Sequence, residues 1–262
     1  MKIPRALTVA GSDSGGGAGI QADLKTLAAY RVFGMSVLTA VTAQNSVGVQ
    51  GIETLPPAFV AAQIESVLSD FGTDAAKCGM LATAGIIRAV AAKLREYRVE
   101  KLVVDPLMIS TSGDLLLQAD AREVLIGELL PLALVVTPNL HEAGALAEMA
   151  VATREDMEEA ARRIAKLGPR HVLVKGGHLT GEAVDILFNG REFTAFSAPR
   201  LDSANTHGTG CTFSAAIAAG LAKGRPLPEA VRDAKAYVTR AIREGFAPGK
   251  GIGVLRHFLT EW

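Results

Sequence analysis

Short apolar runs alternate with stretches of helical spacing along almost the whole chain, which confines the fold to βαβ units around a mainly parallel sheet. Residues 6–10 read as a first strand ending in a glycine-rich turn, 17–30 as the following helix and 35–43 as a second strand. Residues 57–71 have helical spacing, 75–79 form a short strand, and 84–98 are a helix opened by Thr83. Residues 102–105 and 133–137 are further buried strands, each ending in a polar residue followed by proline. Thr153 and Asp156 predict a capping box, opening a helix that Gly168-Pro169 closes. Residues 171–175 form the next strand. Residues 183–188 and 192–196 form a hairpin, because Asn189-Gly190 suits a primed turn. Helices over 213–223 and 228–246 complete the pattern.

A chain of 262 residues with 49% hydrophobic and 21% charged residues can bury a large core, and nothing in it marks a linker, so one domain over 1–262 is expected. Its 27 basic and 27 acidic residues cancel. With no basic run, it lacks the electrostatic footprint for nucleic acid or an anionic membrane, and its partner is expected to be a small molecule. The N-terminal apolar segment is too short for a signal or a membrane span. Two cysteines, Cys78 and Cys211, form neither a disulfide framework nor a metal spacing, which favours a reducing cytoplasm.

In open parallel sheets, ligands bind beyond the carboxyl ends of the strands, and the unusual polar residues of this chain fall there. Gly11-Ser12-Asp13-Ser14-Gly15-Gly16-Gly17-Ala18-Gly19 lets backbone approach a ligand or simply turns tightly. Asp23 follows it, as a ligand or as a dipole-compensating acid. The Gln44 amide can donate and accept at once, matching the edge of a heteroaromatic ring, or it can satisfy loop backbone. Asp105, Asn139 and Glu142 offer hard oxygen groups suited to Mg²⁺, with Asn139 also placed to cap a helix. Lys175, before Gly176-Gly177, can reach a phosphate or remain solvated.

His207-Gly208-Thr209-Gly210-Cys211-Thr212 runs into a small-residue helix and reads as an anion hole with a thiol inside. The helix N-terminus is expected to lower the Cys211 pKa, leaving either a reactive thiol or a neutral substitute for an acid. A Cys–His hydrolase is disfavoured, since the glycine turn is expected to face His207 away from the thiol. His141, His171, His178 and His257 are read as structural, and Cys78 as a small hydrophobe.

These segments, with Val41-Thr42-Ala43-Gln44-Asn45, Lys77-Cys78-Gly79-Met80, Val104-Asp105-Pro106, Thr137-Pro138-Asn139-Leu140-His141-Glu142 and Val174-Lys175-Gly176-Gly177-His178, resemble the hydroxymethylpyrimidine and phosphomethylpyrimidine kinases of thiamin biosynthesis, within the ribokinase-like superfamily. The resemblance spans the chain. It implies a three-layer α/β/α sandwich with an antiparallel edge hairpin, a cytoplasmic homodimer, and ATP with Mg²⁺. The implied activity is phosphorylation of 4-amino-5-hydroxymethyl-2-methylpyrimidine and then of its monophosphate. The related alternative is a pyridoxine or pyridoxal kinase. The resemblance also implies that Gln44 bonds the aminopyrimidine and that Gly11, Asp23 and Met80 complete its pocket. Asp105 and Glu142 would handle the metal, and Asp105, Asn139, Lys175 and Thr209 the nucleotide. Gly208, Gly210, Lys175 and Cys211 would act on the transferred group. Sugar kinases of the superfamily carry an aspartate base where this chain and the kinases it resembles carry cysteine. Cys78 replaces the more usual aliphatic residue before Gly-Met.

Overall fold

The computed structural model describes residues 3–107, 120–177 and 183–259; His178 lies outside them. Strand β1 (Arg5–Asp13) leads through the glycine-rich turn to helix α1 (Gly19–Ala29), then to β2 (Phe33–Asn45). Both strands outrun the sequence reading. A bulge between Ala10 and Ser12 lets pairing resume as Ser12 with Val41 and Asp13 with Thr42, so the strands carry Gly11, Asp13 and Gln44 to the rim of the sheet. After a turn at Ser46-Val47, β3 (Gly48–Thr54) pairs antiparallel with β2. This second edge hairpin was not expected, because residues 50–54 are all exposed and no apolar alternation marks them.

Helix α2 (Pro57–Asp70), β4 (Ala75–Cys78), α3 (Ala84–Glu96) and β5 (Leu102–Val104) follow as expected, and Thr83 caps α3 by accepting the Ile86 N–H. Helix α4 (Ala121–Val124) continues through a wide turn and a tight one to β6 (Val135–Val136). The short α5 (Leu140–Ala147) precedes α6 (Arg154–Ala165) and β7 (His171–Val174). The Thr153/Asp156 capping box on α6 is present. Strands β8 (Ala183–Phe188) and β9 (Phe193–Ala198) make the expected hairpin, but not through a two-residue primed turn. Four residues join them. Gly190 has φ +91°, and the Asn189 side chain accepts the N–H groups of Arg191 and Glu192. Helices α7 (Thr209–Ala222) and α8 (Leu227–Arg243) come last.

Among the described residues the sheet has nine strands in the order β3-β2-β1-β4-β5-β6-β7-β8-β9, parallel from β2 to β7 and antiparallel at both edges. The alternation of side chains across the pleat divides the core in two. Leu7, Val9, Cys78, Leu102 and Val104 pack under α2, α3 and α6, with Cys78 fully buried as a small hydrophobe. Ala6, Ala75, Val103, Val135 and Leu173 face α1, α7 and α8. The result is a three-layer α/β/α sandwich.

Helix α7 is buried on every side from Cys211 to Leu221, so its composition is all small or apolar. Its closest neighbour is α8, against which a Cβ at Gly220 would lie 2.8 Å from the Ala230 Cβ. Because α7 begins at the glycine turn, this crossing sets the position of that turn. Gly220→Leu is expected to cost about 1–3 kcal/mol by overpacking. A urea titration should show a lower midpoint with an unchanged slope.

Candidate active site

Strand β1 has β2 on one side and β4 on the other, so the connections diverge there and leave a crevice at the carboxyl ends. A cavity of about 950 Å³ occupies it. Gly11, Gln44 and Met80 line one end, and Asp105, Asn139, Glu142 and Lys175 line the neighbouring strand ends with Gly208, Thr209, Gly210 and Cys211. The sequence reading anticipated these residues. Asp23, expected with them, is absent from the lining: it is fully buried beneath the site.

Two glycine turns meet over the crevice. The Asp13 carboxylate accepts the N–H groups of Gly15 at 2.8 Å, Gly17 at 3.0 Å and Ala18 at 2.8 Å, and that of His207 Nε2 at 3.0 Å. Burial alone would raise its pKa, but His207 and the backbone donors outweigh that and hold the carboxyl below the usual range. His207 therefore turns to Asp13, as a clamp between the first turn and the second. Gly208 has φ +83°, and a Cβ there would meet the Gly17 carbonyl oxygen at 1.9 Å, so only glycine lets the turns interlock.

The first helical bond of α7 runs from Thr212 N–H to Gly208 O, so the helix supplies no acceptor for the N–H groups of Gly210 and Cys211. Those two donors suit an anion. Thr209 does not join them, because its N–H and its hydroxyl both donate to the Thr206 carbonyl. Directly below, Lys175 Nζ lies 2.8 Å from Asp105 Oδ1, which also accepts the Thr137 hydroxyl at 3.1 Å. Burial acts against both charges, yet each partner outweighs it: Asp105 sits below and Lys175 above its ordinary range, so the pair is ionised. A Cβ on Gly210 would fall 3.3 Å from Lys175 Nζ, which places the turn over the ammonium.

Asn139 and Glu142 form a reciprocal capping box on α5, with N–H to carboxylate at 2.8 Å and N–H to amide oxygen at 2.9 Å. Among the described residues no three His, Cys, Asp or Glu side chains cluster to cage a metal. Two separate carboxylates, Asp105 and Glu142, do border the same cavity. That donor set fits Mg²⁺, which keeps several waters and takes its remaining oxygens from phosphates.

Beneath Cys211, Lys77 projects from the middle of β4 and is 1% exposed. Its ammonium lies 2.8 Å from Asp23 Oδ2, which also accepts the Thr8 hydroxyl at 2.6 Å. Burial would lower the Lys77 pKa, but Asp23 overrides it and holds the lysine above its ordinary range. The Cys211 thiol is pushed up to about 11, by burial first and then by Asp23 and Asp105, against the opposing pull of Lys77 and the Gly19 N–H. The helix N-terminus therefore does not produce a thiolate: burial wins, and the thiol is neutral at pH 7.

At the far end, Val238 and Ile242 supply apolar wall, and Asp185 joins Lys235 Nζ at 2.7 Å and the Gly176 N–H at 3.0 Å. That pair pins the backbone just after Lys175. His257, read as structural, is buried under α7 against the Thr212 hydroxyl at 2.9 Å, with its pKa lowered by burial to about 4. Asp13, Lys77, Asp185 and Lys235 were not singled out from sequence. Lys77 had a signal, a lysine inside the otherwise apolar Ala75-Ala76-Lys77-Cys78 strand.

Residues 13–256 match the family model for phosphomethylpyrimidine kinase. The hydroxymethylpyrimidine/phosphomethylpyrimidine kinase of Streptomyces coelicolor is 54% identical over 97% of this chain and 94% of that protein. A thiamine biosynthesis bifunctional protein of Geobacter sulfurreducens is 55% identical over 97% of this chain, which spans 52% of its length. The Bacillus subtilis pyridoxal kinase, solved with ADP, superposes with a TM-score of 0.90 at 40% identity over 98% of both chains. No described helix is long and apolar enough to cross a membrane. With this fold, this crevice and these relatives, the chain belongs to the phosphomethylpyrimidine kinase family of phosphotransferases.

Proposed function

We propose that both phosphorylations named for the relatives, of 4-amino-5-hydroxymethyl-2-methylpyrimidine and of its monophosphate, take place in this one cavity with ATP as donor. One observation carries the reading. The free N–H groups of Gly210 and Cys211 and the Lys175–Asp105 pair border the same crevice as Gln44, Met80 and Gly11. Gln44 contacts the aminopyrimidine edge, and Met80 packs on the ring. Phosphoryl transfer needs positioning and charge stabilisation more than covalent chemistry, and the two N–H groups with Lys175 supply both. Asp105 and Glu142 would hold Mg²⁺, which when bound neutralises phosphate charge. The reading extends to a cytoplasmic homodimer. Val47 and Ile52, exposed at 69% and 37% on the β2–β3 edge, offer it apolar surface.

The neutral thiol gives the two-acceptor reading a physical basis. The first acceptor is an uncharged alcohol and the second already carries a phosphate. A carboxylate in place of Cys211 would repel that phosphate by about 4 kcal/mol per pair of unit charges, at about 4 Å and an effective dielectric of about 20. Structural neighbours include pyridoxal kinases, which keeps pyridoxine as the alternative acceptor. Incubation with ATP, Mg²⁺ and either alcohol at equal concentration, with mono- and diphosphate resolved over time, tests the assignment; faster use of pyridoxine would reverse it.

Two further outcomes are expected. Cys211→Asp should retain alcohol phosphorylation while slowing monoester phosphorylation by about tenfold or more, and equal losses in both steps would refute charge avoidance. Asp23→Asn removes a negative charge that raises the thiol pKa and leaves the Lys77 ammonium facing Cys211. The thiol should then ionise at lower pH, so its iodoacetamide alkylation should gain speed between pH 8 and pH 9. Cys78, fully buried with its thiol raised to about 12, stays silent in that assay.

A further inference from the structure

Gln44 has two close polar neighbours. On one side, Thr42 Oγ1 lies 3.1 Å from the amide Oε1 and 2.9 Å from the Ser12 carbonyl oxygen. On the other, the amide Nε2 lies 3.5 Å from His207 Nε2, which is itself 3.0 Å from Asp13 Oδ2.

Counting protons decides between the two orientations of the amide. Thr42 has one hydroxyl hydrogen. A carbonyl oxygen can only accept, so that hydrogen belongs to Ser12, and the Thr42 oxygen has only lone pairs to offer Gln44. The Asp13 carboxylate is ionised and also only accepts, so His207 carries its hydrogen on Nε2 in either charge state, gives it to Asp13, and has no lone pair with which to accept a Gln44 N–H. Thr42 therefore requires a 180° turn of the amide about its last side-chain bond, and His207 gives the amide nitrogen no acceptor to oppose it.

We propose that Thr42 and the Asp13–His207 couple fix the Gln44 amide with its nitrogen toward Thr42 and its oxygen toward His207, and that this fixed polarity selects which ring edge the site accepts. One N–H and the carbonyl oxygen of Gln44 remain for the ligand, in a set order. A ring presenting an amino donor beside a ring-nitrogen acceptor then fits in one orientation. A hydroxypyridine, whose edge lacks that pair, fits poorly. Thr42 and His207 are positioning residues, since they act through Gln44. The inference rests on the reading of Gln44 as the ring contact.

Thr42→Val keeps shape and burial but deletes the oxygen that accepts from the amide, whereas Thr42→Ser restores it. Thr42→Val should raise KM for the aminopyrimidine alcohol by about tenfold, the loss of roughly one neutral hydrogen bond. Its kcat and its KM for ATP should change little, and its preference should move toward pyridoxine. Thr42→Ser should return all three to wild-type values. Gln44→Leu separates the premise from the inference. A raised KM in Gln44→Leu with no change in Thr42→Val would overturn the polarity lock alone, and an unchanged KM in Gln44→Leu would overturn the Gln44 reading and the lock with it. Equal KM increases for both alcohols in Thr42→Val would also overturn the lock.

Discussion

Three buried pairs of opposite charge stand among the described residues at this sheet, and they organise the site. Lys77 and Asp23 are both almost fully removed from water, and burial opposes the charge on each. Their pairing fixes α1 against β4 from inside the fold. The pair formed by Lys175 and Asp105 does the same between β7 and the end of β5. A third, Asp185 with Lys235, ties β8 to α8. Such pairs add little net stability, but removing one partner strands the other, so the elements that carry them have little freedom to shift. A phosphate entering the crevice therefore meets cations already in position.

The glycine turns depend on that frame. Gly208 approaches the Gly17 carbonyl too closely for any side chain, and Asp13 closes the contact through His207. The Gln44 end and the Gly210–Cys211 end of the cavity thus border one hydrogen-bonded unit. His257 supports the same unit from below: it accepts or donates to Thr212 one residue beyond the thiol, while its carbonyl takes the Tyr237 hydroxyl at 2.9 Å.

The sequence exposed what is local and concealed what is distant. Asp105, Asn139 and Lys175 were legible because each follows a short buried run at a proline or glycine, so strand end and polar residue coincide. The Thr153 box and the Thr83 cap were legible for the same reason, since a cap acts over three residues. Asp13 and His207 are 194 residues apart, and Asp23 and Lys77 are 54 apart. No spacing rule links residues that far apart. Strand β3 was missed because its exposed residues need no apolar pattern. The use of both Thr209 donors by the Thr206 carbonyl was hidden too, because it depends on how the turn folds back.

The Cys211 thiol shows how the two kinds of constraint compete. Its place at the first turn of α7 argues for a thiolate, and the sequence alone leaves that open beside a neutral substitute for an acid. In the fold, the thiol is 7% exposed, and burial outweighs the helix end. Lys77 could tip the balance back, but its charge is already spent on Asp23. Neutrality at Cys211 is therefore a property of three elements, α1, β4 and α7, and not of the thiol alone. A site built this way can hold an alcohol or a phosphate monoester without a fixed negative charge opposing either, and Lys175, held in place by Asp105, remains to attract the phosphate.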